Sequence, residues 1–282
     1  MASGARELSR RGRTPTLRRF SASAASPAVS LLTVLGLWYL LIAAAHGNEL
    51  VSKNPLDVYR YLFVGSAAGS HLSLLGHQLL TTLRDAGLGY AAGMAVSVLV
   101  AAAFVLFPAV EQMFLPVVMV FRTAPIVAMT PLLTLVFGRG LVTVSVVSTI
   151  IVFFPTLVNV LFGLRSAAKE SLDLMDAYGA SRYRTLFSVQ APTAVPAFFV
   201  SARVAVPGAI IGALVAEWLA TGQGMGYQML ISSTTFDYAG LWSAVVVLTV
   251  VSVLLYSAVG LVENAVVARF VPRRGEDASQ AR

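Results

Sequence analysis

The chain has 282 residues, of which 57% are hydrophobic and 12% charged, with a mean hydropathy of +0.79 and a net charge of +7. Soluble domains carry about 25% charged residues, so the composition excludes an ordinary water-soluble globule and points to an integral membrane protein. The lack of cysteine excludes disulfides, thiolate metal sites and a cysteine nucleophile, and the positive charge calls for no nucleic acid, since basic flanks against anionic lipid account for it.

Residues 1–27, rich in Arg, Ser and Ala, read as a disordered basic tail. Within them Ser9-Arg10-Arg11 resembles the start of a twin-arginine signal, and Ala43-Ala44-Ala45 resembles a small-residue cleavage site. The apolar run 28–45 carries Trp38 and Tyr39 and reaches about the length that crosses the hydrocarbon, so an uncleaved first span is expected. His46, His71 and His77 follow and read as solvated loop histidines, because His71 and His77 are too far apart to share one helical face as metal ligands. Further spans are expected at about 86–107, 113–136, 141–164, 197–220 and 241–262, which makes 28–262 the transmembrane domain and 263–282 a tail. Gly89-x-x-x-Gly93 and Gly208-x-x-x-Gly212 let helix backbones approach closely and read as packing positions. Pro125, Pro131 and Pro155 each remove a backbone donor inside an apolar run, giving either hinges or static bends.

Between the fourth and fifth spans lies a charged island, 165–196. Helical periodicity puts Lys169, Asp173 and Asp176 on one side and Leu172, Met175 and Tyr178 on the other, an amphipathic helix over Lys169–Tyr178. Gly179 supplies its stop, Ala180-Ser181 begin a second turn toward Phe187, and Pro192 and Pro196 are expected to break the chain before the next span. Such a loop in a membrane chain is suited to docking a partner. After the fifth span, Gly222-Gln223-Gly224-Met225-Gly226 follows an apolar run rather than a strand, so it reads as a tight turn that folds Tyr227 to Ser232 back over the mouth, not as a phosphate loop.

Six spans put both termini on one side. With cytoplasmic termini, fourteen of the twenty Lys and Arg residues fall in inside segments and four (Lys53, Arg60, Arg84 and Arg139) outside, an asymmetry that sets this orientation and puts the island in the cytoplasm. Arg122 and Arg203 are then expected in the cytoplasmic halves of their spans and Glu217 near the outer end. Charges in spans are costly and usually face a bundle interior or a wet cavity. The arginines either line or gate a pathway or snorkel and bond to carbonyls; Glu217 either lines the pathway or belongs to the glycine turn.

These motifs resemble the membrane-spanning permease subunits of bacterial ATP-binding cassette importers. The loop of that family carries Glu-Ala-Ala, then Gly, then a hydrophobic-x-Leu-Pro ending; here Asp173-Leu174-Met175 stands at the opening, Gly179 at the glycine and Val189-Gln190-Ala191-Pro192 at the ending. Phe121 to Gly140, Phe153 to Arg165 and Ala216 to Tyr227 look like the nitrate, sulfonate, taurine and pyrimidine-precursor branch, so the resemblance covers roughly Thr82 to Tyr227. It implies an all-α, six-helix, type I importer permease in the bacterial plasma membrane. It further implies a cytoplasmic ATPase dimer gripping the loop at Lys169, Asp173, Met175, Asp176, Gly179, Ala180, Ser181 and Pro192. A second permease copy, most simply as a homodimer, and an extracytoplasmic substrate-binding protein complete the assembly. Arg122, Pro125, Pro131, Arg203 and Glu217 are the pathway or gating candidates. No cofactor is implied, and the lack of a G-x-x-x-x-G-K-[ST] loop leaves ATP hydrolysis to a partner. The alternative is an ATP-independent secondary transporter or channel, which would carry inverted repeats and midplane charges.

Overall fold

The computed structural model describes residues 16–44 and 50–270, and no strand occurs among them. The chain divides into two compact units, Met1–Arg60 and Tyr61–Arg282.

In the first unit, helix α1 spans Thr16–Ala44, so the tail expected over 1–27 is helical from Thr16 on, while Ser9-Arg10-Arg11 lies outside the described residues, as do Ala45 and His46. The apolar part of α1 is Leu32–Ala44. Helix α2 (Pro55–Phe63) opens on reciprocal caps: Asn54 Oδ1 accepts from the Asp57 N–H at 3.0 Å, and Asp57 Oδ2 accepts from the Asn54 N–H at 3.1 Å. Proline at the first helical position completes this start, since the N–H it lacks would have no helical partner there.

In the second unit, α3 (Ala68–Leu106) is followed by α4 (Pro108–Arg122), α5 (Ile126–Phe137), α6 (Leu141–Arg165) and α7 (Lys169–Ala177). Then come α8 (Arg182–Thr185), α9 (Ala191–Ala216), α10 (Gly224–Thr234) and α11 (Tyr238–Phe270). Four described helices are long and apolar enough to cross a membrane: α3, α6, the continuous run Arg182–Thr221 and α11.

Three expectations change. The helix that carries the expected span 86–107 begins earlier, at Ala68, because His71, His77, Thr82, Arg84 and Asp85 lower the hydropathy without interrupting the helix. His71 and His77 are therefore helical rather than in a loop, and the His71 ring stacks on Tyr61 with centroids 3.9 Å apart. Tyr61 donates to Asp237 Oδ2 at 3.0 Å, and burial together with that hydrogen bond pushes its phenol up to about 12, so it stays a donor at physiological pH. The expected third span is a bent pair, α4 and α5, meeting at 103°. Pro125 has no N–H to give and disfavours helical backbone at Ala124, so α4 stops at Arg122 and α5 restarts after Pro125, whose ψ of 103° is extended. Finally, Pro192 and Pro196 do not break the fifth span. A π-helical turn at Leu186–Gln190 lets the Ala191 N–H reach the Leu186 carbonyl just ahead of Pro192, and the helix continues. The tail expected over 263–282 is likewise helical to Phe270, and 271–282 lie outside the described residues.

The core is the contact of α3, α6 and α9. Val144, Val147, Val152 and Leu157 of α6 are buried, and small polar side chains bridge the backbones: Ser97 Oγ donates to the Phe153 carbonyl at 3.0 Å, Thr149 Oγ1 to Gly89 at 3.2 Å and Ser148 Oγ to Ala209 at 3.2 Å. Gly89 and Gly93 sit directly against α6. A Cβ on Gly89 would run into the Ser148 side chain and lie 2.8 Å from the Ser145 carbonyl oxygen, and one on Gly93 would lie 2.8 Å from Val152. The small-residue pattern thus packs two helices of one chain. Gly89→Val is expected to destabilise the permease by about 1–3 kcal/mol through overpacking, read as a lower melting temperature in detergent; an unchanged midpoint would mean that α3 and α6 are not this close.

Candidate functional site

The island between α6 and α9 is an exposed platform. Helix α7 covers nearly the stretch expected from periodicity and buries none of its residues: Leu172 and Met175 are half-buried, and Lys169, Asp173 and Asp176 are exposed. It ends in a Schellman turn, with the Gly179 N–H on the Asp176 carbonyl and the Ala180 N–H on the Met175 carbonyl, both at 2.9 Å. Gly179 has φ +67°, a left-handed conformation with no atom within 4 Å of where a Cβ would stand. Ser181 caps α8 by accepting from the Arg184 N–H at 3.4 Å. The platform therefore offers Leu174 (57% exposed) and Tyr178 (83% exposed), one helical turn apart, as an apolar contact flanked by Asp173 and Asp176. Pro192 is exposed at the start of α9.

Two contacts tie this platform to the bundle. Arg165, at the end of α6, ion-pairs with Glu111 of α4, and Arg182 donates to the Leu106 carbonyl at the end of α3 at 3.3 Å. The first contact joins α6 to α4 where the island begins, and the second joins α8 to the end of α3.

At the break between α4 and α5, a cavity of about 220 Å³ is lined by Phe121, Arg122, Ala124, Met129, Ile151 and Phe154, among others. Its floor is residues 150–155, the central turns of the 25-residue α6. Arg122 is the last residue of α4 and, at the bend into α5, lines this cavity together with the central turns of α6. Pro125 forms the break, Pro131 lies inside α5, and both are exposed.

Arg203 and Glu217 do not join that cavity. Arg203 ion-pairs with Glu263 at 3.0 Å and lies 4.6 Å from the centroid of the Tyr256 ring, which fastens α9 to α11. Glu217 is 1% exposed, and its Oε2 accepts from Thr82 Oγ1 and from the Gly226 N–H, each at 2.9 Å. Thr82 Oγ1 also accepts from the Met225 N–H at 2.8 Å, and Gln78 Oε1 from the Gly224 N–H at 2.7 Å. The first turn of α10 is thus held by side chains of α3 and the end of α9, with a carboxylate at its N–H groups where the helix dipole favours one. Sequence reasoning found Glu217 but not Thr82 or Gln78, which lie more than a hundred residues away and look like ordinary polar residues on a helix. Their spacing of four, one helical face, was the available signal.

Among the described residues no three His, Cys, Asp or Glu side chains converge as a metal site.

The chain matches the description "Binding-protein-dependent transport system inner membrane component" over residues 93–273. It is 27% identical over 244 residues to the formylaminopyrimidine transport permease protein ThiX of Halalkalibacterium halodurans, covering 86% of this chain and 95% of that protein. It is 28% identical over 255 residues to the riboflavin transport system permease protein RibX of Chloroflexus aurantiacus, covering 90% and 94%. Permeases named for nitrate, aliphatic sulfonates and taurine match at 23–26%, the 26% match covering 54% of this chain. Among solved structures, the MetNI methionine ABC transporter in inward-facing conformations shares the fold, with a TM-score of 0.56 at 20% identity over 69% of this chain and 95% of that one. The family match spans well over half of the sequence, and the chain belongs to the inner-membrane components of binding-protein-dependent transport systems, the multi-pass permease subunits of ABC importers.

Proposed function

We propose that this permease docks a cytoplasmic ATP-binding cassette dimer on α7 and the turn after it, works as a homodimer, and passes a small solute handed over by an extracytoplasmic binding protein. The observation that carries this reading is the exposed platform: a short helix with an apolar outer contact at Leu174 and Tyr178, a left-handed stop at Gly179 and polar ties to three core helices. Six spans with cytoplasmic termini fit the charge asymmetry, with the apolar part of α1 as the first span and the α4–α5 pair as the third. ATP binding would move α7 and α8, and the ties at Arg165 and Arg182 would tilt α3, α4 and α6.

Within this reading Arg122, Pro125 and Pro131 belong to the pathway wall, where irregular backbone at membrane depth is tolerated because it lines a wet cavity. Arg203 and Glu217 belong to the frame that holds α9, α10 and α11 together. The proposed solute is a heterocycle, supported by the higher identity to permeases named for formylaminopyrimidine and riboflavin than to those named for nitrate, sulfonates or taurine. The test is affinity purification of the tagged full chain from its native membranes in mild detergent. A stoichiometric ATPase subunit is expected to co-purify; its absence, under conditions that retain another importer complex of the same cell, would reject the reading.

A further inference from the structure

The cavity at the α4–α5 break raises a question of charge. Arg122 is exposed beside the central turns of α6, and among the described residues its side chain has no hydrogen-bond or ion-pair partner. A central arginine costs about 2.5–3.5 kcal/mol on insertion scales, so it needs water, a counter-charge or both.

A second copy of the chain cannot supply that charge from its spans. Glu111 is taken by Arg165 and Glu263 by Arg203, and Glu217 is buried inside the protomer. Asp85 is buried too, and its backbone meets Ser145 near the start of α6, well away from residues 150–155. Water in the open cavity solvates the guanidinium, and an anionic group on a passing solute would supply the counter-charge that the protomer does not. The cavity that Arg122 lines is otherwise apolar and partly aromatic, with Phe121 (58% exposed), Phe154, Met129 and Ile151 among its walls. Guanidinium groups recognise carboxylates in a fork and stack on flat π-systems, and phenyl rings prefer offset or edge contacts with other rings.

We propose that the cavity lined by Arg122, Phe121 and Phe154 is a subsite of the pathway that takes the anionic end of a flat, ring-bearing solute. The proposal rests on the permease reading above and adds the chemistry of what passes.

The chain has no cysteine, so a single thiol reports on this site. In the full chain, reconstituted in nanodiscs with its partner subunits, Ala124→Cys is treated with an anionic (sulfonatoethyl) and a cationic (trimethylammonioethyl) methanethiosulfonate. Each rate is normalised to that of a small thiol in solution, and Ser66→Cys, in the exposed turn between α2 and α3 and away from the docking platform, serves as the surface control. The anionic reagent is expected to react about tenfold faster than the cationic one, as opposite charges roughly 10 Å from a unit positive charge would at an effective dielectric of about 50. Arg122→Gln is expected to bring the ratio close to one and Arg122→Lys to keep it. Nicotinate is expected to slow the modification and the uncharged nicotinamide to leave it unchanged. If neither reagent reaches position 124 while both reach position 66, the cavity is not on an aqueous route and the pathway reading falls with the proposal. If both reach it with no charge preference, if the preference survives Arg122→Gln, or if nicotinate gives no protection, the anion subsite is wrong and the pathway reading stands.

Discussion

Gly179→Val is expected to weaken association with the ATPase about tenfold, while Gly179→Asn retains most of it. No atom lies within 4 Å of the missing Cβ, so neither substitution meets a clash inside the permease; the difference is in the backbone. At φ +67° an L-residue pays roughly 1–2 kcal/mol, more for a β-branched one, whereas asparagine visits this region readily. Since 1.4 kcal/mol is a tenfold change in affinity, strain of that size either melts the Schellman turn that orients Leu174 and Tyr178 or must be met by the docked state. The measurement is the yield of co-purified ATPase at equal permease, across a dilution series. Equal losses for Val and Asn would mean that the partner touches the glycine itself and that the turn's conformation is not what matters.

Glu217→Ala is expected to be the most destabilising single change in the protein. It removes the acceptor of the Gly226 N–H and the Thr82 hydroxyl and leaves a hole at a site that is 1% exposed. An unsatisfied buried donor costs about 1–3 kcal/mol and the cavity adds to it, so a total of about 3–5 kcal/mol follows. Thr82→Ala is expected to cost less, and the double variant to fall well short of the sum, because both residues hold the same turn of α10. Glu217→Gln keeps one oxygen for both donors and is expected to lie between wild type and Glu217→Ala. Thermal unfolding of the purified permease gives these values; additive effects would mean that Glu217 and Thr82 act separately.

Much of this architecture was legible in the chain. Apolar length marked the membrane segments, and in the island a 3.6-residue period with a glycine after it marked α7 and its stop, because a short surface helix is fixed by local sequence. What local sequence does not carry is how a continuous apolar run bends. Val117 to Val136 is apolar through Pro125 apart from Arg122 and three threonines, and only the backbone shows the 103° turn that sets Arg122 at the bend. The converse holds at Pro192 and Pro196, where a π-helical turn absorbs the missing donor and the helix passes through. The polar stretch before 86 misled for a third reason: Thr82 and Gln78 interrupt hydropathy because they are used, as acceptors for the first turn of α10. Glu217 stood out as an acid in a span, but its role depends on residues far away in sequence.

The most direct test of the central claim is photo-crosslinking from the platform, with Tyr178→p-benzoylphenylalanine in the full chain in its native membranes. Tyr178 is 83% exposed and points away from the bundle core, so the substitution leaves the fold unchanged. The expected result is an adduct with a protein that carries a G-x-x-x-x-G-K-[ST] phosphate loop, the mark of the ATPase. Adducts only with lipid or with a second copy of the permease would contradict the docking of an ATPase on α7.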